Sequence, residues 1–218
     1  MTEKILIVAA HSDDQIIGVG GTAAKYVLEG LSVHTIIFSQ GEISHPHFQE
    51  NIIVRTREKE SLQADKIIGG EKIHFLRLAE KHAGKEEELL KAKNKLKTLI
   101  KNLKPIKIFT HSKQDPHPLH KITSTIVLDI ADELPFKTEV YTFDIWNTFR
   151  WDKKKHHQLA VDISQTFDKK IRALKCFKSQ FNVQGFMNFL PLITMYLKNF
   201  WNGLTHHTKY VEIFYKEK

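Results

Sequence analysis

At 218 residues, 41% of them hydrophobic, the chain has the material for one domain around a sizeable core. Its single cysteine, Cys176, excludes an internal disulfide and any thiolate metal cluster. A net charge of +8 and a pI near 9.4 raise phosphate-bearing partners; the lysines are spread out, however, without zinc-finger spacing, an arginine-rich arm or aromatic–basic alternation, so no nucleic-acid partner is expected.

The N-terminus runs from MTEK directly into an apolar segment. It lacks the charged-then-apolar design of a secretory signal, so a cytoplasmic location is expected. Residues 4–10 (KILIVAA) read as a buried strand. The next stretch, HSDDQIIGVGGT, puts His11, Asp13 and Asp14 in a turn and reads as a loop entering a helix over 19–29. Further strands are expected at 31–39, 72–78, 106–111 and 138–145, and further helices at 50–68, 85–103 and 119–133. Within 85–103, Leu89, Ala92, Leu96, Leu99, Ile100 and Leu103 keep the spacing of one buried helix face. Gly30 and the pair at 69 and 70 stand where helix C-caps belong. This alternation predicts an α/β fold, a Rossmann-like open, mostly parallel sheet with helices on both faces.

The last third reads differently. Residues 164–182 suggest another helix, and 209–217 alternate like an edge strand. Between them, 181–204 are apolar and aromatic but interrupted by Gln184, Asn188, Pro191 and Lys198. No uninterrupted apolar run reaches the roughly 18–20 residues that cross a bilayer. Packing against the domain or a subunit interface is preferred here to contact with a membrane surface. The whole chain, 1–218, is read as a single domain, with 181–218 a less typical hydrophobic extension offering a homo-oligomer contact.

In an open parallel sheet, ligands bind outside the carboxyl ends of the strands. The glycines after His11 suggest a dinucleotide loop, but the GxGxxG spacing is incomplete and two carboxylates occupy the turn where a pyrophosphate would need bare N–H groups. A cation suits that turn better. A second polar cluster, THSKQDPHPLHK (110–121), follows the fourth expected strand with His111, Asp115, His117 and His120. Together the clusters offer imidazole and carboxylate ligands without thiols. That is the donor set of a catalytic zinc, with three protein ligands, water in the fourth position and a carboxylate to spare. His34 and His74 fall within strands, and the pairs at 156–157 and 206–207 look like surface features. His45 and His47 could line the mouth of the same pocket.

The two clusters in this order resemble the LmbE/PIG-L superfamily of zinc-dependent de-N-acetylases. ILIVAAHSDDQIIGVGGTAA is similar to the family's A-H-P-D-D-E followed by G-x-G-G-T, and HPLH within DPHPLH to its H-P-D-H. SQGE (39–42) stands for T-D-G-E, RTREKESLQADKIIGG (55–70) for an R-x-x-E helix ending in L-G, and KKIRALKCFKSQ (169–180) for the closing K-x-x-A-L…S-Q. The resemblance implies one Zn²⁺ per chain, held by His11, Asp14 and His120, with Asp13 as general base and His117 as acid or oxyanion stabiliser. Arg57 takes the position of an arginine that contacts substrate, and Asp115 is grouped with it as a substrate-side residue. Three departures stand out: Ser12 for proline, Gln15 for glutamate, and Leu119 for the aspartate that pairs with the first histidine of H-P-D-H. Asp115 could stand in for that partner; without one, His117 is expected to be neutral near pH 7.

The expected reaction is hydrolysis of the N-acetyl group of an amino sugar or its conjugate. The basic surface would suit a phosphorylated, nucleotide-linked or lipid-linked form, and Trp146, Phe149 and Trp151 could stack on a sugar face. Two alternatives stay open: a metal-dependent hydrolase of another bond, and a fold-retaining sugar-binding or assembly protein with weak or no deacetylase activity.

Overall fold

The computed structural model describes residues 2–44, 49–147, 157–181 and 190–218. Its strands β1 (Lys4–Ala9), β2 (Ser32–Ser39), β3 (Lys72–Leu78), β4 (Lys107–His111), β5 (Glu139–Phe143), β6 (Gln158–Asp162) and β7 (Val211–Lys216) form one sheet in the order β3–β2–β1–β4–β5–β7–β6. The first five run parallel. β1 is buried on both faces, which is why it reads as a continuous apolar run. Ile5 and Ile7 point into one cluster, Leu6 and Val8 into the other.

Helices α1 (Asp14–Leu28), α2 (Glu50–Ile68), α5 (Phe167–Leu174) and α7 (Leu190–Thr205) lie on the Ile5 side, and α3 (Glu86–Leu103) and α4 (Pro118–Asp132) on the Leu6 side. In α3 the buried stripe is Ala92, Leu96 and Ile100, and each fully buried Leu or Ile contributes about 1.5–3 kcal/mol of transfer free energy. α2 ends at Gly69, whose φ of 90° needs no Cβ penalty there. β2 and β3 extend to one side of β1, β4 and β5 to the other. The order therefore reverses between β1 and β4, and the crevice at their carboxyl ends is the ligand position of this architecture.

Three expectations are corrected. α1 starts at Asp14 rather than near 19, so the glycines lie inside the helix. They are there for proximity: a Cβ at Gly18 would come within 2.4 Å of the Phe143 ring, and one at Gly21 within 2.6 Å of Ile163. The segment 209–217 is not an edge, because β7 lies antiparallel between β5 and β6. The edge at this end is β6, whose five residues Gln-Leu-Ala-Val-Asp bury only Val161 and are too short a run to announce a strand. Finally, the helix expected over 164–182 is divided into α5 and a short α6 (Lys178–Phe181).

α5 carries a fully buried lysine. Lys170 Nζ donates to the Ile17 carbonyl (2.8 Å), Asn199 Oδ1 (3.1 Å) and Glu212 Oε1 (2.6 Å). The Glu212 carboxylate also accepts the backbone N–H groups of Gly21 (3.1 Å) and Thr22 (2.8 Å). Burial pushes the Lys170 ammonium down and Glu212 opposes the shift. The pair ties the glycine-rich turns of α1, and hence its N-terminus, to α5, α7 and β7.

Candidate active site

His11 leaves the end of β1, Asp14 opens α1, and His120 lies in the first turn of α4. Asp14 is favoured at a helix N-terminus, where the dipole is positive. Three donor atoms converge: His11 Nδ1 lies 3.1 Å from Asp14 Oδ2 and 3.2 Å from His120 Nε2, and His120 Nε2 lies 3.2 Å from Asp14 Oδ2. Ligands bound tetrahedrally at about 2.0–2.1 Å stand about 3.3 Å apart, so the triangle fits one zinc-sized cation. The donor chemistry fits as well, since two imidazoles and a carboxylate meet with no thiol.

Neighbouring groups hold this triangle. Asp115 is fully buried. Its Oδ1 pairs with His120 Nδ1 at 3.0 Å and accepts the His117 N–H at 3.1 Å, while Oδ2 accepts the N–H groups of Ile145 (2.9 Å) and Trp146 (3.1 Å). Burial alone would raise its carboxyl, but His120 and these donors hold it down at about 2. Burial also opposes a charge on His120, yet Asp14 and Asp115 prevail and push it up to about 10. On the far side of His11, Nε2 faces Glu80 at 3.6 Å, and Glu80 accepts the Ser39 hydroxyl at 2.9 Å. A carboxylate behind a ligand imidazole fixes its tautomer and orientation.

His111, from β4, is fully buried beside Asp14, 3.3 Å from its Oδ2. Its Nε2 accepts the Ala10 N–H at 2.9 Å, which engages the lone pair and clamps β4 to the end of β1. Burial, followed by the charge of His120, pushes it down to about 4. With the Nε2 lone pair already taken by Ala10, His111 suits a structural clamp better than a ligand.

Two groups face the triangle with chemistry to spare. Burial and the adjacent Asp14 raise the Asp13 carboxyl above its ordinary value. His117 caps α4, ahead of Pro118 at the first helical position, and its Nδ1 accepts the Leu119 N–H at 3.3 Å. That bond leaves Nε2 to carry the proton of a neutral ring, and burial lowers the pKa in the same sense. One ring nitrogen of His117 lies within 4.8 Å of donor nitrogens of His11 and His120. Asp115 reaches the backbone of His117 but not its ring, and Leu119 is buried in the α3–α4 cluster.

Arg57 is buried, with Nη2 3.8 Å from Asp13 Oδ1 and Nη1 donating to the Gly41 carbonyl at 3.4 Å. A Cβ at position 41 would lie 2.5 Å from that guanidinium, and the φ of Gly41 is 69°. Its Nε finds no partner among the described residues. Three residues on, Glu60 accepts the Ser179 N–H (2.8 Å) and hydroxyl (2.6 Å), which joins the R-x-x-E helix to the S-Q segment.

This geometry coincides with a family match. The sequence model described as PIG-L: GlcNAc-PI de-N-acetylase aligns with residues 6–131, more than half of the chain and all of the site. The chain belongs to the PIG-L family. A similar sequence is 1D-myo-inositol 2-acetamido-2-deoxy-alpha-D-glucopyranoside deacetylase of Tsukamurella paurometabola, 38% identical over 53 residues; the match covers 23% of this chain and 18% of that protein's length. Among solved structures, N,N'-diacetylchitobiose deacetylase from Pyrococcus horikoshii superposes with a TM-score of 0.81 at 19% identity, covering 98% of this chain and 83% of that one. GalB, the 4-carboxy-2-hydroxymuconate hydratase of Pseudomonas putida KT2440, also reaches 0.81, at 17% identity over 100% and 97% of the two chains. Such distant structural matches describe the PIG-L fold and not the reaction.

All seven singled-out residues, His11, Asp13, Asp14, Arg57, Asp115, His117 and His120, fall in or next to this crevice. Asp115 is the one placed differently from its expectation: its oxygens are taken up by His120 and backbone N–H groups, so it faces the protein and not a substrate. Glu80 and the clamping part of His111 were missed. Glu80 sits in a short 3-10 turn after β3 with no motif around it, whereas His111 stood in the quoted cluster without an assigned role. His45, His47, Phe149 and Trp151 lie outside the described residues. Trp146 is 41% exposed, with its N–H bound to Asp115.

Proposed function

We propose that the chain is a zinc-dependent hydrolase that removes the acetyl group from an N-acetyl amino sugar or its conjugate. The observation that carries this reading is the donor triangle of His11, Asp14 and His120, with a raised carboxyl and a neutral imidazole beside it. A Zn²⁺ held there would polarise an acetyl carbonyl and acidify a water.

The remaining chemistry belongs to the chain's own residues. Asp13, in its ionised form, accepts the proton of the attacking water and passes it to the departing sugar amine. A carboxyl raised above 3.8 is a stronger base than an ordinary aspartate for the first transfer. His117 donates from Nε2–H to the oxygen on which negative charge builds, as a neutral donor and not as an imidazolium. With Leu119 in place of a pairing aspartate, proton delivery to the amine therefore falls to Asp13. Arg57 limits the rise of the Asp13 carboxyl and holds it in the crevice.

The hydratase neighbour sets a concrete rival, because the same fold carries a 4-carboxy-2-hydroxymuconate hydratase there. The distinguishing experiment incubates the zinc-loaded protein with a panel of N-acetylated amino sugars, free, phosphorylated, inositol-linked and lipid-linked. Stoichiometric release of acetate and a primary amine from at least one member supports the reading. A zinc-loaded protein that releases no acetate from any of them defeats it and leaves the hydratase and the fold-retaining binding protein.

A further inference from the structure

α7 is apolar on both sides. Met195 and Asn199 face the domain, while Ile193, Tyr196, Leu197, Phe200, Trp201 and Leu204 form an outward stripe, with Trp201 68% exposed and Leu197 58%. A helix apolar all round has a partner on each side. Grooves of about 620 and 750 Å³ run along its two flanks, toward Leu174 and Lys178 on one and Ile213 and Tyr215 on the other.

The charge around this stripe is predominantly positive. From residue 169 to residue 211 the chain has seven Lys and Arg and no Asp or Glu. Arg172, Lys175, Lys178 and Lys209 are exposed, and Lys198 is partly so. Of the carboxylates around this face, Glu60 turns inward to Ser179 and Glu212 to Lys170, while Asp168, in the first turn of α5, is exposed near Tyr210 and is outnumbered by these cations. A second copy docked through the same patch would set cations against cations, since a two-fold interface pairs a surface with itself. This reverses the preference for a subunit interface drawn from hydrophobicity alone.

We propose that the face formed by α5, α6 and α7 seats the protein on an anionic lipid surface. Aromatic and aliphatic side chains along one side of a helix, ringed by lysines, are the composition of an in-plane interfacial helix. Among the described residues no helix is long and apolar enough to cross a membrane, so the contact is one of depth and not of spanning. α7 also reaches the catalytic edge: Thr194, Met195 and Lys198 line a small cavity with Phe143, Ile145 and Asn147, just beyond the backbone that binds Asp115. Docking here would bring a lipid-borne substrate to that edge, but the docking itself holds whatever the reaction is.

The test is co-sedimentation of the full chain with phosphatidylcholine vesicles, with and without roughly a third phosphatidylglycerol, at low and high salt. Partition onto the anionic vesicles is expected to exceed that onto neutral ones by at least about tenfold and to collapse in high salt. Lys175→Ala with Lys178→Ala should weaken it by about 25-fold, at roughly fivefold per basic residue. Trp201→Ser with Leu197→Ser should weaken it at low salt, where the cations are intact. Both pairs are exposed, so an unchanged melting temperature separates lost docking from lost folding. Equal partition onto neutral and anionic vesicles, or none onto either, overturns the proposal. So does a concentration-dependent dimer dissolved by Trp201→Ser with Leu197→Ser, which would make a second copy the occupant.

Discussion

Replacing Asp115 by asparagine tests how the site is held together. Its carboxylate is fully buried and collects His120 Nδ1, the His117 N–H and the N–H groups of Ile145 and Trp146. The amide of an asparagine must turn its NH₂ toward one of these two donor pairs, leaving a donor against donors. The folded carboxyl titrates at about 2 against an ordinary 3.8. Because the folded value is the lower one, the ionised group stabilises the fold above about pH 4, and that contribution is lost as pH falls through about 2. The difference amounts to about 2–3 kcal/mol at pH 7, or a fall in Tm of roughly 5–10 °C for a chain of this length. With His120 no longer fixed, zinc affinity should drop by about 10–100-fold. Thermal melts from pH 3 to 7 and competition against a chromophoric chelator measure both effects. An Asp115→Asn protein that melts with the wild type across that range and holds zinc equally well would refute the reasoning.

Asp13→Asn should keep the bound metal and lose turnover by roughly 10²–10⁴, read from metal content and acetate release on the same sample. Lys170→Met leaves Glu212 charged and buried without its cation and should cost about 3–5 kcal/mol in urea melts, with part recovered when Glu212→Gln is added. Asp65→Asn should stabilise the protein. Burial pushes the Asp65 carboxyl up to about 6, in the last turn of α2 where the helix dipole also disfavours a negative charge. A raised carboxyl favours the folded state only while protonated, so stability falls as pH climbs from about 4 to 6 and the penalty stands at pH 7. The asparagine should recover on the order of 1–2 kcal/mol at pH 7 and almost nothing at pH 4, checked by melts at both values.

Much of the crevice was legible because its residues are local. His11, Asp13 and Asp14 lie within one turn, and His117 and His120 at the start of one helix, so strand order alone brings the two clusters together. Continuous apolar runs marked the central strands, and the three-and-four spacing marked α3. What was not legible depends on contacts distant in sequence. Glycines at 18, 20 and 21 read as a loop, because only the packing of Phe143 and Ile163 shows why a helix would leave out its side chains there. β6 is too short a run to carry a signal of its own and exists through its pairing with β7. Asp115 looked like a substrate-side residue because its backbone partners, Ile145 and Trp146, are some thirty positions away. A separation of nearly seventy positions hid Glu80 behind His11. The one-sided charge of 169–211 was present in the sequence, but it acquires meaning only beside an exposed stripe on α7.

The central claim is that one cation held by His11, Asp14 and His120 enables Asp13 and His117 to cleave an N-acetyl amide. The most direct measurement titrates the chelator-treated protein with Zn²⁺ while following acetate release from a substrate found in the panel. Activity should rise linearly, break at one ion per chain, and stay absent in His120→Ala at the same zinc concentrations. Full turnover in the chelated protein, or a break that persists unchanged in His120→Ala, would contradict it.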